Sequence, residues 1–296
     1  MVWKPAKHIG LASALIVGGS LGSIAWVFVR GLVRQPLDLG FYGTLLASLA
    51  TIALLVIWGY RTITLLSLRY LLDRNALVIE AWPRRYVIPL DAIQRVMRGQ
   101  DLPSLPWYAG LRWPGFLLGS AKVEGLPPLH LLGTEPPFRQ IILLTEQGAY
   151  GISPREGGRF LQALEAHRTL GPLRAVREGI EQAPILSWPI WQDSPFWGLL
   201  LLALALNLIL LGVILWRYPA LPERIALQFG PEGEVYRIGP KIGLLAVPSI
   251  GAATVLVNAL LGVIVHRRER PASLLLGSTS LAVQGVLWLA ALGILP

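Results

Sequence analysis

The chain contains no cysteine and only four histidines in 296 residues. Disulfides, thiolate nucleophiles and cysteine metal sites are therefore excluded together. His8, His130, His167 and His266 are spread so that no two have metal-ligand spacing. Lysine is as scarce: Lys4, Lys7, Lys122 and Lys241 are the whole set, so the formal net charge of +9 rests on arginine. Charged residues make up 15% against 54% hydrophobic ones, and the mean hydropathy is +0.57. A soluble domain carries about 25% charged residues, so a bilayer is the expected solvent for much of this chain. Neither an H-E-x-x-H motif nor a phosphate-binding glycine loop occurs, and no acid stands beside a recognisable base. The chain reads as non-enzymatic, with no cofactor.

What is present is apolar length. Five stretches without Asp, Glu, Lys, Arg or His, 9–29, 41–59, 195–216, 242–265 and 272–295, approach the roughly 20 residues that cross a bilayer core. The first follows two lysines but is longer than a secretory h-region and lacks a small-residue cleavage site, so it reads as a retained anchor. Lys4 and Lys7 precede the first span, Arg61, Arg69 and Arg74 follow the second, and His266 to Arg270 separate the fourth from the fifth. Five spans place these three regions on one side, assigned to the cytoplasm by their basic charge. That orientation sets a multi-pass inner-membrane protein with its C-terminus outside. The segment 217–241, with four basic residues against Glu223, Glu232 and Glu234, dissents. Trp58, Trp188, Trp191, Trp197 and Trp216 fall near span ends, the aromatic-belt position. Asn207 and Asn258 are expected to bond neighbouring helices, and Gly18 and Gly22 form a small-xxx-small pair for close helix approach.

Between the second and third spans, 61–170 changes to short β-rich runs separated by turn residues: 64–72, 77–82, 86–88, 128–132, 139–145 and 149–152. A helix is expected from Ser153-Pro154, with Phe160, Leu161 and Leu164 on its buried face. The runs Tyr70-Leu71-Leu72-Asp73-Arg74-Asn75-Ala76-Leu77-Val78-Ile79 and Thr145-Glu146-Gln147-Gly148-Ala149-Tyr150-Gly151-Ile152-Ser153-Pro154 resemble the first hairpin and closing strand of bacterial pleckstrin-homology-like domains. The resemblance implies a bent antiparallel sheet plugged by a terminal helix and a binding module in place of an enzyme. The fold class expected is thus a five-helix transmembrane bundle with an inserted PH-like β-barrel or sandwich domain capped by its C-terminal helix. The domain spans 61–170, with an interfacial linker at 171–194.

The short first hairpin loop offers only Arg74 for a phosphate. Arg84, Arg85, Arg95, Arg98 and Arg112 form either a basic surface at the membrane or a scattered set paired with Asp91, Asp101 and Glu124. The stretch 102–119, with Trp107 and Trp113, reads as a long apolar loop that dips into the interface, meets a partner or folds under its own domain.

After the third span, Tyr218-Pro219-Ala220-Leu221-Pro222-Glu223-Arg224-Ile225-Ala226-Leu227-Gln228-Phe229, ending at Gly233, resembles a bacterial membrane domain of unknown function with the signature Y-P-x-L-P-x-x-I-x-x-H-F-x-x-x-G. That domain also occurs in immunity proteins against a sporulation-delay toxin. Gln228 replaces the family histidine. The segment 217–241 is expected to cap the bundle on the outer face. Membrane lipids, with a protein partner or a second copy, are the expected partners; nucleic acid is not, because no basic run is long. The functional expectation is a membrane scaffold or regulatory binding protein. A small transporter, a channel, an immunity-like factor or an accessory subunit of a larger complex is the alternative.

Overall fold

The computed structural model describes residues 1–102, 108–184, 186–229 and 235–295. Five helices are long and apolar enough to cross a membrane, α1 (His8–Arg34), α2 (Leu39–Ser67), α4 (Ser194–Arg217), α5 (Ala246–Val265) and α6 (Arg270–Ile294), while α3 (Gly157–Leu170) is amphipathic and short. The chain is a multi-pass membrane protein. It divides into two compact units, Met1–Ser23 with Ile52–Leu186, and Ile24–Thr51 with Ser187–Pro296.

The first unit holds a β-domain of two sheets. One is built from β1 (Val2–Trp3), β2 (Arg69–Leu72), β3 (Ala76–Ala81), β4 (Arg84–Pro89) and, after the helix, β11 (Gly179–Gln182), in the order β1-β2-β3-β4-β11. The other holds β5 (Arg95–Arg98), β6 (Tyr108–Trp113), β7 (Phe116–Ala121), β8 (Leu129–Gly133), β9 (Ile141–Leu144) and β10 (Ala149–Ile152), in the order β5-β9-β10-β8-β7-β6. This second sheet is mixed, because β10 runs parallel to β8 and antiparallel to β9. Among the described residues no pairing closes the two sheets into a barrel. They enclose one core instead. Leu77, Ile79 and Ile88 enter it from the first sheet, Leu132, Leu143 and Ile152 from the second, and Phe160 and Leu164 from α3. Period-two burial along β3 is what aims these side chains inward.

Four sequence expectations shift. Residues 64–67, expected to open a strand, continue α2: the Leu66 carbonyl, orphaned at the helix end, accepts from Lys7 Nζ at 2.6 Å, and Ser67 Oγ accepts from Trp82 N at 2.8 Å. Helix α3 starts at Gly157, not at Ser153-Pro154. Ser153 is tied to the sheet, its Oγ accepting from Thr134 N at 2.7 Å and its own N–H donating to Tyr70 Oη at 3.1 Å. The stretch 102–119, expected as a loop, carries the β6–β7 hairpin. Its turn abuts α1: a Cβ on Gly10 would meet the Gly115 carbonyl at 2.5 Å, and Gly115 sits at φ +80°, where only glycine rests without strain. Finally, the linker 171–194 supplies β11 and is pinned by Glu178, which accepts from Thr145 Oγ1 at 2.7 Å and Tyr150 Oη at 2.9 Å.

The second unit is built on α4, α5 and α6. Its interior hydrogen bonds are amide-based: Asn207 Nδ2 donates to the Pro248 carbonyl at 3.1 Å and to Gln284 Oε1 at 3.2 Å, and Gln284 Nε2 donates to the Gly251 carbonyl at 3.2 Å. Two turns further along α5, Asn258 Nδ2 donates to Ser280 Oγ at 3.0 Å and to the Leu276 carbonyl at 3.2 Å. Within hydrocarbon an amide must find such partners or bear the desolvation cost. Between α4 and α5, β12 (Arg224–Phe229) and β13 (Val235–Pro240) form a bulged hairpin. Leu221 and Ile225 seat its base against Leu210, Ile214, Leu244 and Ala291.

Candidate functional site

The first sheet carries a row of alternating charge. Register places Arg69 opposite Glu80, Glu80 opposite Arg85, and Arg85 opposite Glu181, one residue from each of β2, β3, β4 and β11. Arg69 Nε is paired with Glu80 Oε2, and Arg85 lies 3.8 Å from Glu80 and 3.9 Å from Glu181. Each inner member of the row thus has opposite charge on both flanking strands, the cross-strand arrangement that stabilises a sheet face. The pairs are partly exposed and each contributes at most about 1 kcal/mol.

Arg69, Glu80, Arg85 and Glu181 of this row also line a groove of about 800 Å³. Arg84 and Trp82 come to it from the first sheet, Lys4 and Lys7 from the segment before α1, and Leu66 and Ser67 from the last turn of α2. Trp82 is 43% exposed there and stacks edge-on with Tyr60 at 5.5 Å. Among the described residues no carboxylate reaches ion-pair distance of Lys4, Lys7 or Arg84. The surplus positive charge is felt by its neighbours. Lys7 is held below the ordinary lysine range by burial and by the charges of Lys4 and Arg69. Half-buried His130, stacked on Tyr150, is held below its ordinary range by burial and by Arg84.

The structure divides the arginines expected to act together. Arg84 and Arg85 share the groove, Arg95 and Arg98 lie on β5 at the edge of the other sheet, and exposed Arg112 lies on β6. Trp113 is not at the surface: it is 8% exposed and packed between Trp58 and Phe116 at 4.8 and 4.6 Å. Arg74 is spent on α3, donating to the Leu170 and Gly171 carbonyls at 3.1 Å each. Trp107 lies outside the described residues.

In the second unit, the motif residues Tyr218, Pro219, Leu221, Pro222 and Ile225 lead into the hairpin, where Gln228 and Phe229 sit on β12; Gly233 lies outside the described residues. Lys241 closes the hairpin base. It pairs with Glu223 at 3.0 Å, donates to the Leu221 carbonyl at 3.4 Å and lies over the Tyr218 ring at 5.1 Å. Asn207 and Asn258 spend their amides inside the bundle, as described above. In the first unit, Gly18 lies against Trp58, with a Cβ falling 3.4 Å from the ring, whereas Gly22 faces open space. By its letters Gly18-Gly19-Ser20-Leu21-Gly22 fits G-x-S-x-G, but the five residues are helical and Ser20 Oγ donates to the Ile16 carbonyl at 2.9 Å. A nucleophile elbow needs a strand-to-helix turn.

Sequence reasoning missed a second cluster, at the ends of α4, α5 and α6. Asp193 caps α4 and accepts from Arg270 Nε at 2.6 Å; His266 Nε2 lies 3.7 Å from the same carboxylate, and its Nδ1 is 2.8 Å from Ser273 Oγ. The letters Ser, His and Asp invite comparison with a catalytic triad. Ser273 and Asp193 are buried, however, and the Arg270 guanidinium occupies the carboxylate, so the cluster reads as a clasp between helix ends.

Comparison with known families agrees with this division. Residues 68–168 match the bacterial PH domain, and residues 205–252 match a domain of unknown function, DUF1648. No curated protein and no solved structure matches the chain. The PH match excludes Lys4, Lys7 and Glu181, so the groove combines a PH sheet with segments that precede and follow it.

Proposed function

We propose that this multi-pass membrane protein is a non-enzymatic binding module whose PH domain holds a basic surface against the anionic inner leaflet. The observation that carries this reading is the convergence of Lys4, Lys7 and Arg84 with the end of an apolar helix in one groove. Juxtamembrane basic residues each gain about 1 kcal/mol near an anionic leaflet. In this reading the N-terminus, the PH domain and the loop 266–270 face the cytoplasm, and the β12–β13 hairpin and the C-terminus lie outside. The amides of Asn207 and Asn258, already bonded within the bundle, favour a structural core over a solute path.

Two measurements test it. The chain lacks cysteine, so single-cysteine variants report topology directly. In intact cells R237C is expected to react with a membrane-impermeant maleimide and R268C only after permeabilisation; the reverse pattern overturns the orientation. Lipids retained after mild solubilisation of the full chain are expected to be enriched in anionic species over the bulk membrane. Retention at bulk composition refutes the surface reading.

A further inference from the structure

We infer that the groove is a discrete site for the phosphate of an anionic lipid headgroup, gripped by Lys4, Lys7 and Arg84; this rests on the leaflet-facing reading above. Charge pairing comes first. Arg69 and Arg85 are engaged by Glu80 and Glu181 in the cross-strand row, which leaves three cations in one groove with no carboxylate partner among the described residues. A phosphate in that groove would meet unpaired cationic donors able to give it charge-assisted hydrogen bonds.

Size and position then narrow the ligand. A groove of about 800 Å³ falls within the roughly 300–1,000 Å³ typical of small-ligand sites and exceeds the needs of a bare ion. Its lining includes Leu66, whose carbonyl is capped by Lys7 at the end of a bilayer-length helix, and half-exposed Trp82. An amphipathic ring and a lysine at that level match the headgroup zone. The first-hairpin turn is not the site, because its one arginine, Arg74, is bonded to the end of α3.

The test uses the scarcity of lysine. The full chain is placed in nanodiscs of zwitterionic lipid, with or without phosphatidic acid, and amine acylation is read at each lysine by mass spectrometry. Anionic lipid is expected to slow acylation of Lys4 and Lys7 while exposed Lys122 serves as the reference. R84Q is expected to weaken that protection about fivefold, the worth of one basic side chain at an anionic surface. R95Q/R98Q, on the other sheet, is expected to leave it unchanged. Equal weakening by R95Q/R98Q means diffuse attraction and overturns the site. Equal protection by pyrophosphate in zwitterionic discs shows a soluble-phosphate site and overturns the lipid assignment. If anionic lipids co-purify but Lys4 and Lys7 stay reactive, this inference fails while the surface reading stands; if they do not co-purify, both fail.

Discussion

Replacing Tyr70 by Phe removes one hydroxyl from the core of the first unit. In the wild type that hydroxyl is wholly buried, donates to the Leu132 carbonyl at 2.8 Å and accepts from Ser153 N at 3.1 Å. A buried polar group left without its partner costs about 1–3 kcal/mol. With the Ser153 N–H stranded and one acceptor bond lost, Y70F should cost about 2–3 kcal/mol. At roughly 2–4 °C per kcal/mol for a unit of this size, the unfolding midpoint should drop by roughly 4–12 °C. Alkaline pH supplies a second, independent signature. Burial pushes the Tyr70 phenol up to about 12, above the value near 10 expected for an unfolded chain. Between those two pH values the unfolded state has released a proton that the folded state keeps, so stability falls as pH rises. The total is about 3 kcal/mol. Phenylalanine has no such proton, so the deficit of Y70F relative to wild type should close as the pH approaches 12. Thermal unfolding of the detergent-solubilised chains, followed by tryptophan fluorescence across a pH series, measures both effects. Coincident midpoints near neutral pH, or a gap that persists undiminished in strong alkali, would refute the reasoning.

Two further outcomes are expected. A double-mutant cycle of Asn207→Leu and Gln284→Leu, read by unfolding in mixed micelles, should give a coupling of about 0.6 and at most about 1.7 kcal/mol; zero coupling would mean that the bond at 3.2 Å contributes nothing. The hydrogen bond from Arg270 holds the Asp193 carboxyl below its ordinary value of 3.8, so its stabilisation is present above that value and lost as pH falls below it. In acid titration the wild type should therefore lose more stability below the ordinary carboxylate value than Asp193→Asn does, and parallel curves would exclude the clasp.

The parts of this fold that sequence exposes are those written in composition or period. The spans are visible because runs such as 195–216 contain no ionisable side chain. The β2–β3 hairpin is visible because Asp73-Arg74-Asn75-Ala76 separates two apolar runs. What stays hidden depends on pairing between distant segments. Strand β1 has two residues and β11 has four, too few to show alternation, yet they flank the first sheet and bring Lys4 and Glu181 to the groove region. Arg84 and Arg85 are legible as a basic pair, but the register that neutralises Arg85 and leaves Arg84 unpaired is not. Whether Trp113 faces out or in is not legible, because neighbouring prolines and glycines give its segment the texture of a loop. Only the fold shows that Trp58 takes it inside. The Asp193 clasp joins residues 77 positions apart and has no local signal at all.

Between its ends the bundle of α4, α5 and α6 is bonded by neutral amides and hydroxyls, and residues 195–216, 242–265 and 272–295 bear no charge. A transmembrane voltage does work only on charge, about 2.3 kcal/mol per elementary charge for each 100 mV. These three spans consequently offer an electric field no formal charge to pull, and depolarisation of the host cell should leave their packing untouched.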